Sequence, residues 1–193
     1  MRSFETYKQC GLMPRHMRNI KNKHKEWAEA FRKAEAMLGN GSIIALIGPR
    51  GTGKTQLAAS LIKSVLIVMD DNKFPEFCKW QLYMTAMQFF MRIKRSYDGR
   101  EHEEGIIKAL LAPPLLVIDE LQERRCSDWE NSLLTTLIDT RYGNMKDTVL
   151  ISNQTVDAFV RNVGDSVADR MNEGGGVIEM NWQSLRGGGK VEE

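Results

Sequence analysis

Gly48-Pro49-Arg50-Gly51-Thr52-Gly53-Lys54-Thr55 follows an apolar run, Ile43-Ile44-Ala45-Leu46-Ile47, and precedes Gln56-Leu57-Ala58-Ala59-Ser60-Leu61-Ile62, which has the composition of a helix. The stretch is G-x-x-x-x-G-K-[ST] in the strand–loop–helix setting that gives this pattern its meaning. Glycines let the backbone curl until successive N–H groups point inward and form an anion nest. The helix that follows presents its positive end to the same place. Lys54 is then expected to reach the β- and γ-phosphates of a nucleoside triphosphate, and the Thr55 hydroxyl to ligate Mg²⁺. All eight residues from Gly48 to Thr55 are candidate nucleotide contacts. A chance glycine-rich turn would need neither the strand nor the helix.

A second motif answers the first. Ala112-Pro113-Pro114 breaks a helical pattern, and Leu115-Leu116-Val117-Ile118 is a continuous apolar run, as in a strand buried on both faces of a parallel sheet. It ends in Asp119-Glu120. In a chain that already carries a P-loop, this acidic pair reads as Walker B. Asp119 would hold the hydrated Mg²⁺ and Glu120 would orient and polarise the attacking water.

Composition limits the alternatives. With 193 residues, 42% hydrophobic and 27% charged, the chain suits one soluble domain with a substantial core. A formal net charge of +2 does not by itself argue for nucleic acid, so any basic surface must be local. No apolar run approaches the roughly 18 residues of a membrane span, and the first residues lack a signal-peptide core, so a cytoplasmic protein is expected. Cys10, Cys78 and Cys126 are widely spaced, which suggests neither a disulfide framework nor zinc.

Residues 1–16 are expected to wrap the core. From Met17 to Leu38, Ile20, Trp27, Phe31, Ala34 and Leu38 recur at helical spacing, opposite Arg18, Lys21, Lys23, Lys25, Arg32 and Lys33. That basic face is either solvated or a partner surface. Trp80 to Met84 alternates like a second strand, and Thr85 caps a helix through Tyr97. Arg92, Lys94 and Arg95 at its end either complement the helix dipole or touch a DNA backbone. Ser127-x-x-Glu130 opens a helix that carries Arg141 towards its end. Thr148 to Ile151 is a fourth strand ending at Ser152-Asn153, where a γ-phosphate sensor or an ordinary turn residue would sit. Val177 to Met180 is a fifth strand.

The two Walker motifs, Ile138-Asp139-Thr140-Arg141-Tyr142, Ile151-Ser152-Asn153, Ala168-Asp169-Arg170-Met171 and Trp182 to Arg186 occur in that order. With them the chain resembles the ATPase domain of the DnaC-like replicative-helicase loaders of the AAA+ superfamily, from about Gly11 to Arg186. The resemblance implies that Asn153 is sensor 1, that Arg170 is an arginine finger working in a neighbouring subunit, with Arg141 and Arg161 as competitors, and that Arg186 is a sensor-2-like arginine. It also implies the sheet order 5-1-4-3-2. Relatives that remodel origins touch single-stranded DNA near the segment matching Thr85–Tyr97, which favours the DNA reading of Arg92, Lys94 and Arg95.

The expected fold is therefore a P-loop α/β domain, an AAA+ core with a five-stranded parallel sheet flanked by helices and no separate lid. The expected units are an N-terminal segment, 1–41, packed on the core, an ATPase domain, 42–186, and a disordered tail, 187–193. A small phage or mobile-element version would fit this length. The expected function is ATP binding and Mg²⁺-dependent hydrolysis by an oligomer acting on DNA, with a replicative helicase as partner. An IstB-like transposition helper with a transposase partner is the near alternative. A nucleotide or small-molecule kinase, or a nucleotide-gated adaptor, belongs to other classes.

Overall fold

A computed structural model of the chain describes residues 4–17, 24–68, 81–97 and 103–185. Helix α1 (Phe4–Gln9) and a 3-10 turn (Pro14–Met17) precede α2 (Lys25–Met37), β1 (Ile43–Ile47) and α3 (Lys54–Val68). Then come β2 (Tyr83–Thr85), α4 (Ala86–Tyr97), α5 (Glu103–Leu111), β3 (Leu115–Asp119), a 3-10 turn (Leu121–Glu123) and α6 (Asp128–Gly143). The chain continues through β4 (Asp147–Ser152), α7 (Val156–Val163), α8 (Asp165–Gly174) and β5 (Gly175–Glu179). All pairings are parallel and the order is β2-β3-β4-β1-β5, as the resemblance implied.

Three strands, β1, β3 and β4, are buried along their whole length and lie at the centre. Alternation along each sends side chains to two separate cores. Ile44, Leu46, Leu115, Val117, Val149 and Ile151 face α2 and α3. Ile43, Ala45, Ile47, Leu116, Ile118 and Leu150 face the side that holds Phe89 and Phe90 of α4, Ile138 of α6 and Phe159 of α7. A run apolar on both faces has no solvated side to give up, which is why these strands lack a polar alternation.

The β2 edge of the sheet is occupied by another part of the chain. The carbonyl of Cys10 accepts hydrogen bonds from the Leu82 and Tyr83 amides at 3.0 and 3.1 Å, so the N-terminal segment covers the edge of β2. At the other side of the sheet, β5 contacts α2. The second strand is shorter and later than the sequence alternation suggests: it is Tyr83–Thr85, while Trp80 lies outside the described residues. Thr85 both ends the strand and caps α4. Its Oγ1 accepts from the Gln88 amide at 3.2 Å, and its own amide donates to Gln88 Oε1 at 2.9 Å, a reciprocal capping box.

Arg141 belongs to the core and is excluded as an arginine finger. It is fully buried. Its Nε donates to Thr148 Oγ1 at 3.0 Å, Nη1 to the Leu110 and Pro113 carbonyls at 2.7 and 3.1 Å, and Nη2 to the Asp147 carbonyl at 2.5 Å. Burial pushes its pKa down to about 10, which leaves it charged at neutral pH. Asp147 in turn accepts from the Gly39 and Ser42 amides at 2.7 and 2.8 Å and holds the turn that feeds β1. Among the described residues no helix is long and apolar enough to cross a membrane.

Candidate nucleotide site

The carboxyl ends of β1, β3 and β4 point at one cleft of about 600 Å³. Arg50, Gly51, Gly53, Lys54, Thr55, Asp119, Glu120 and Asn153 all line it, so strand order brings together residues as far apart in the chain as Thr55 and Asn153. Gly51 and Gly53 have φ of 91° and 90°, in the left-handed region that a side chain would strain. Gly51 has a second constraint: a Cβ there would overlap Ser184.

Lys54 is buried and its Nζ donates to the Gly48 and Pro49 carbonyls at 2.6 and 2.7 Å. Thr55 Oγ1 donates to Asp119 Oδ2 at 2.8 Å, joining the ends of the P-loop and of β3. Asp119 Oδ1 accepts from the Glu120 amide at 2.7 Å. Glu120 itself sits at φ 59°, unusual for a residue with a side chain. Burial first, then the charges of Asp119 and Glu123, push the Glu120 carboxyl above the ordinary range, against the opposing pull of Arg50 and Arg15. Arg50 pairs with Glu123 at 3.3 Å, and Gln122 Oε1 accepts from the Asn153 amide at 3.1 Å. The P-loop, the Walker B loop and the Asn153 turn are thus tied to one another.

These residues fit a triphosphate with a hydrated divalent cation. The left-handed glycines leave a cradle for phosphate oxygens, Lys54 supplies a cation within it, and Thr55 with Asp119 offers a hydroxyl and a carboxylate in contact.

Several residues of the site carry no sequence motif. Two indoles hold the outer side of the P-loop: Trp27 Nε1 donates to the Gly53 carbonyl at 3.3 Å, and Trp182 Nε1 to the Thr52 carbonyl at 3.0 Å. The Leu185 amide adds a bond to the Gly51 carbonyl at 2.8 Å. These three bonds occupy the carbonyls of Gly51, Thr52 and Gly53 and so hold the orientation of the loop's peptide groups. On the opposite wall, Met13, Arg15 and His16 from the N-terminal turn and Tyr83 from β2 also line the cleft. Burial, reinforced by Arg15, lowers the His16 pKa. Burial and Asp119 raise that of the Tyr83 phenol, which stays a hydrogen-bond donor. Spacing could not reveal these residues, because each reaches the site from a distant segment.

The remaining candidates lie elsewhere. Arg170, on α8, is not among the residues lining the cleft. It pairs with Asp139 at 3.1 Å, donates to the Ser166 carbonyl at 2.9 Å, and lies 6.0 Å from the Tyr142 ring centroid. Arg161 is exposed near the end of α7. The basic trio of α4 divides. Arg92 and Arg95 line a groove of about 530 Å³ with Lys8, whereas Lys94 lies over the Trp129 ring, 5.1 Å from its centroid. Arg186, the tail 187–193 and the basic residues Arg18, Lys21 and Lys23 lie outside the described residues.

Residues 33–192 match the family described as IstB-like ATP binding protein. Over 188 residues the chain is 27% identical to the replicative helicase loader DnaC of Escherichia coli (strain K12), covering 95% of this chain and 69% of that protein. It is 25% identical over 185 residues to the uncharacterized protein YdaV of the same strain, covering 91% of this chain and 71% of YdaV. The crystal structure of the DnaC helicase loader superimposes with a TM-score of 0.68 at 21% identity, over 86% of this chain and 99% of that one. AMPPCP-bound DnaA from Aquifex aeolicus gives 0.64 at 19% identity, over 87% of this chain and 50% of that one. These likenesses show the fold as that of AAA+ P-loop proteins.

Proposed function

The chain belongs to the IstB-like ATP binding protein family, and on that premise we propose that it hydrolyses ATP and acts in DNA replication as a loader of a helicase. The observation that carries the catalytic part is the contact between Thr55 and Asp119, with Glu120 next in the chain and all three lining one cleft with Lys54. Mg²⁺ would be held at Thr55 and Asp119, and when bound it neutralises charge between neighbouring phosphate oxygens. Lys54 exchanges its P-loop carbonyls for phosphate oxygens. Glu120 accepts a proton from the attacking water, and its raised pKa makes it a better base than a fully solvated carboxylate. Asn153 presents its amide from the end of β4 as a sensor of the γ-phosphate.

Arg170 serves a neighbouring copy. Its absence from the lining of its own cleft, and its position on a helix outside the sheet, favour action in trans. Single-stranded DNA would follow the groove of Lys8, Arg92 and Arg95, where cations from two elements converge. Lys94, which lies over the Trp129 ring, has less support as a DNA contact than Arg92 and Arg95. The helicase partner is favoured by DnaC, whose likeness spans nearly the whole chain. A transposase partner is the second reading, favoured by the IstB-like family itself. A pull-down from the native host separates the two.

The decisive assay is ATP turnover per subunit against protein concentration, with and without single-stranded DNA. Turnover is expected to rise with concentration and DNA. It should fall by about 10³-fold in Arg170→Ala, the scale of an arginine finger supplied in trans. Glu120→Gln should abolish turnover and keep ATP binding. A rate independent of concentration, untouched by either change, would instead indicate a kinase-like or plain nucleotide-binding protein.

A further inference from the structure

We infer that Tyr83 is a positioning residue for Asp119, holding that carboxylate in place for the hydrated cation; the inference rests on the metal reading of Thr55 and Asp119 above. Tyr83 Oη donates to Asp119 Oδ2 at 2.8 Å, on the same oxygen that accepts from Thr55. The register explains the reach. Tyr83 pairs with Val117 and Thr85 with Asp119, so Tyr83 and Asp119 share one face of the sheet as diagonal neighbours.

An ionised carboxylate offers about four lone-pair sites. Three are occupied, two on Oδ2 by Thr55 and Tyr83 and one on Oδ1 by the Glu120 amide. When the Thr55 hydroxyl turns towards a cation, Tyr83 and the Glu120 amide remain, one on each oxygen. Two donors on opposite oxygens fix the plane of the group, whereas one leaves it free to rotate about Cβ–Cγ. Without Tyr83, a carboxylate only 5% exposed would keep one donor and lose its orientation.

Tyr83 is itself held from outside the ATPase motifs. Its amide donates to the Cys10 carbonyl at 3.1 Å, and its ring meets His16 at 5.0 Å between centroids, tilted by 58°. The N-terminal segment therefore supports the residue that orients Asp119. No P-loop motif includes Tyr83, yet it reaches the same carboxylate as Thr55.

The test is binding of a ribose-labelled fluorescent ATP analogue, first in EDTA and then across a MgCl₂ titration. Tyr83→Phe removes the hydroxyl alone. It should raise the Mg²⁺ concentration for half-saturation by about 10-fold, the scale for losing one partner that orients a metal-holding group. Affinity in EDTA should stay unchanged. His16→Ala, which keeps the hydroxyl and loosens the ring, should give a smaller rise in the same direction. An unchanged Mg²⁺ requirement in Tyr83→Phe, or an equal loss of affinity in EDTA, overturns the inference, since a merely structural role predicts no selective effect on Mg²⁺. Asp119→Ala separates the premises. If it leaves the Mg²⁺ response of the wild type intact, the metal reading itself fails. If it abolishes the response while Tyr83→Phe leaves it intact, only the role of Tyr83 falls.

Discussion

The end of α6 and the middle of α8 each carry an arginine, Arg141 and Arg170, and they have opposite environments. Arg141 is fully buried, with its guanidinium nitrogens committed to the Thr148 hydroxyl and three backbone carbonyls. Arg170 keeps 29% of its side chain exposed and rests on Asp139, itself 34% exposed, on the neighbouring helix. Guanidinium chemistry is common to both. What differs is burial: the Leu110, Pro113 and Asp147 carbonyls close around Arg141, whereas Arg170 stays part-exposed between α8 and α6, on Ser166 and Asp139. A planar group with five fixed donors can therefore lock the end of α5 to the start of β4 in one place and form a part-exposed ion pair in another.

The largest effect that could break this contrast is on stability. Arg141→Met keeps the length and removes the donors, stranding buried acceptors at Leu110, Pro113, Asp147 and Thr148. Denaturant unfolding should show a loss of about 3 kcal/mol or more. Arg170→Ala in the same experiment should cost under about 1 kcal/mol, as for other part-exposed ion pairs. Equal losses would erase the distinction between a buried and a part-exposed arginine.

A smaller effect sharpens the picture around Arg141. Burial raises the Asp147 pKa, opposed by amide bonds from Gly39, Ser42 and Gly41 and by the Arg141 charge. A native pKa above the unfolded one means that the folded protein binds the proton first, so this group's contribution to stability falls as pH rises through that window. Asp147→Asn removes the titration. Its stability deficit relative to the wild type should thus be larger near pH 4 than at pH 7, and a deficit constant with pH would contradict the assignment. The smallest expected effect is at the P-loop. Trp182→Phe loses one hydrogen bond to the Thr52 carbonyl, worth about 1 kcal/mol, and should weaken ATP binding by about 3- to 5-fold in a fluorescence titration. Unaltered affinity would show that the indole does not support the loop.

The shape of the glycine-rich loop and the place of the acidic pair were legible because each is local: a few consecutive residues set the backbone curl and put Asp119-Glu120 at the end of β3. The basic trio was not, although its residues are nearly adjacent. Arg92 and Arg95 are three apart and share a helix face, while Lys94, two positions from Arg92, turns to the other side and meets Trp129. The competition between Arg141 and Arg170 was also open in the sequence, since nothing near Arg141 announces that Leu110 and Pro113 will close around it. The second strand was placed too early because alternation over 80–84 marks extended chain, whereas pairing with β3 begins only at Tyr83.

By itself the sequence determined the glycine-rich loop, the acidic pair, and the alternation of strands and helices that makes a parallel sheet the economical fold. These follow from steric preference and hydrophobic period, which act over a few residues. Only the tertiary structure decided that both ends of the described chain converge on the cleft. Tyr83 and His16 approach from the β2 edge, and Trp182 and Leu185 from beyond β5. Their contacts join segments far apart in the chain, 130 residues in the case of Trp182 and Thr52. Contacts at such separation depend on the order of strands in the sheet, which brings distant residues within hydrogen-bond reach without any local pattern to mark them.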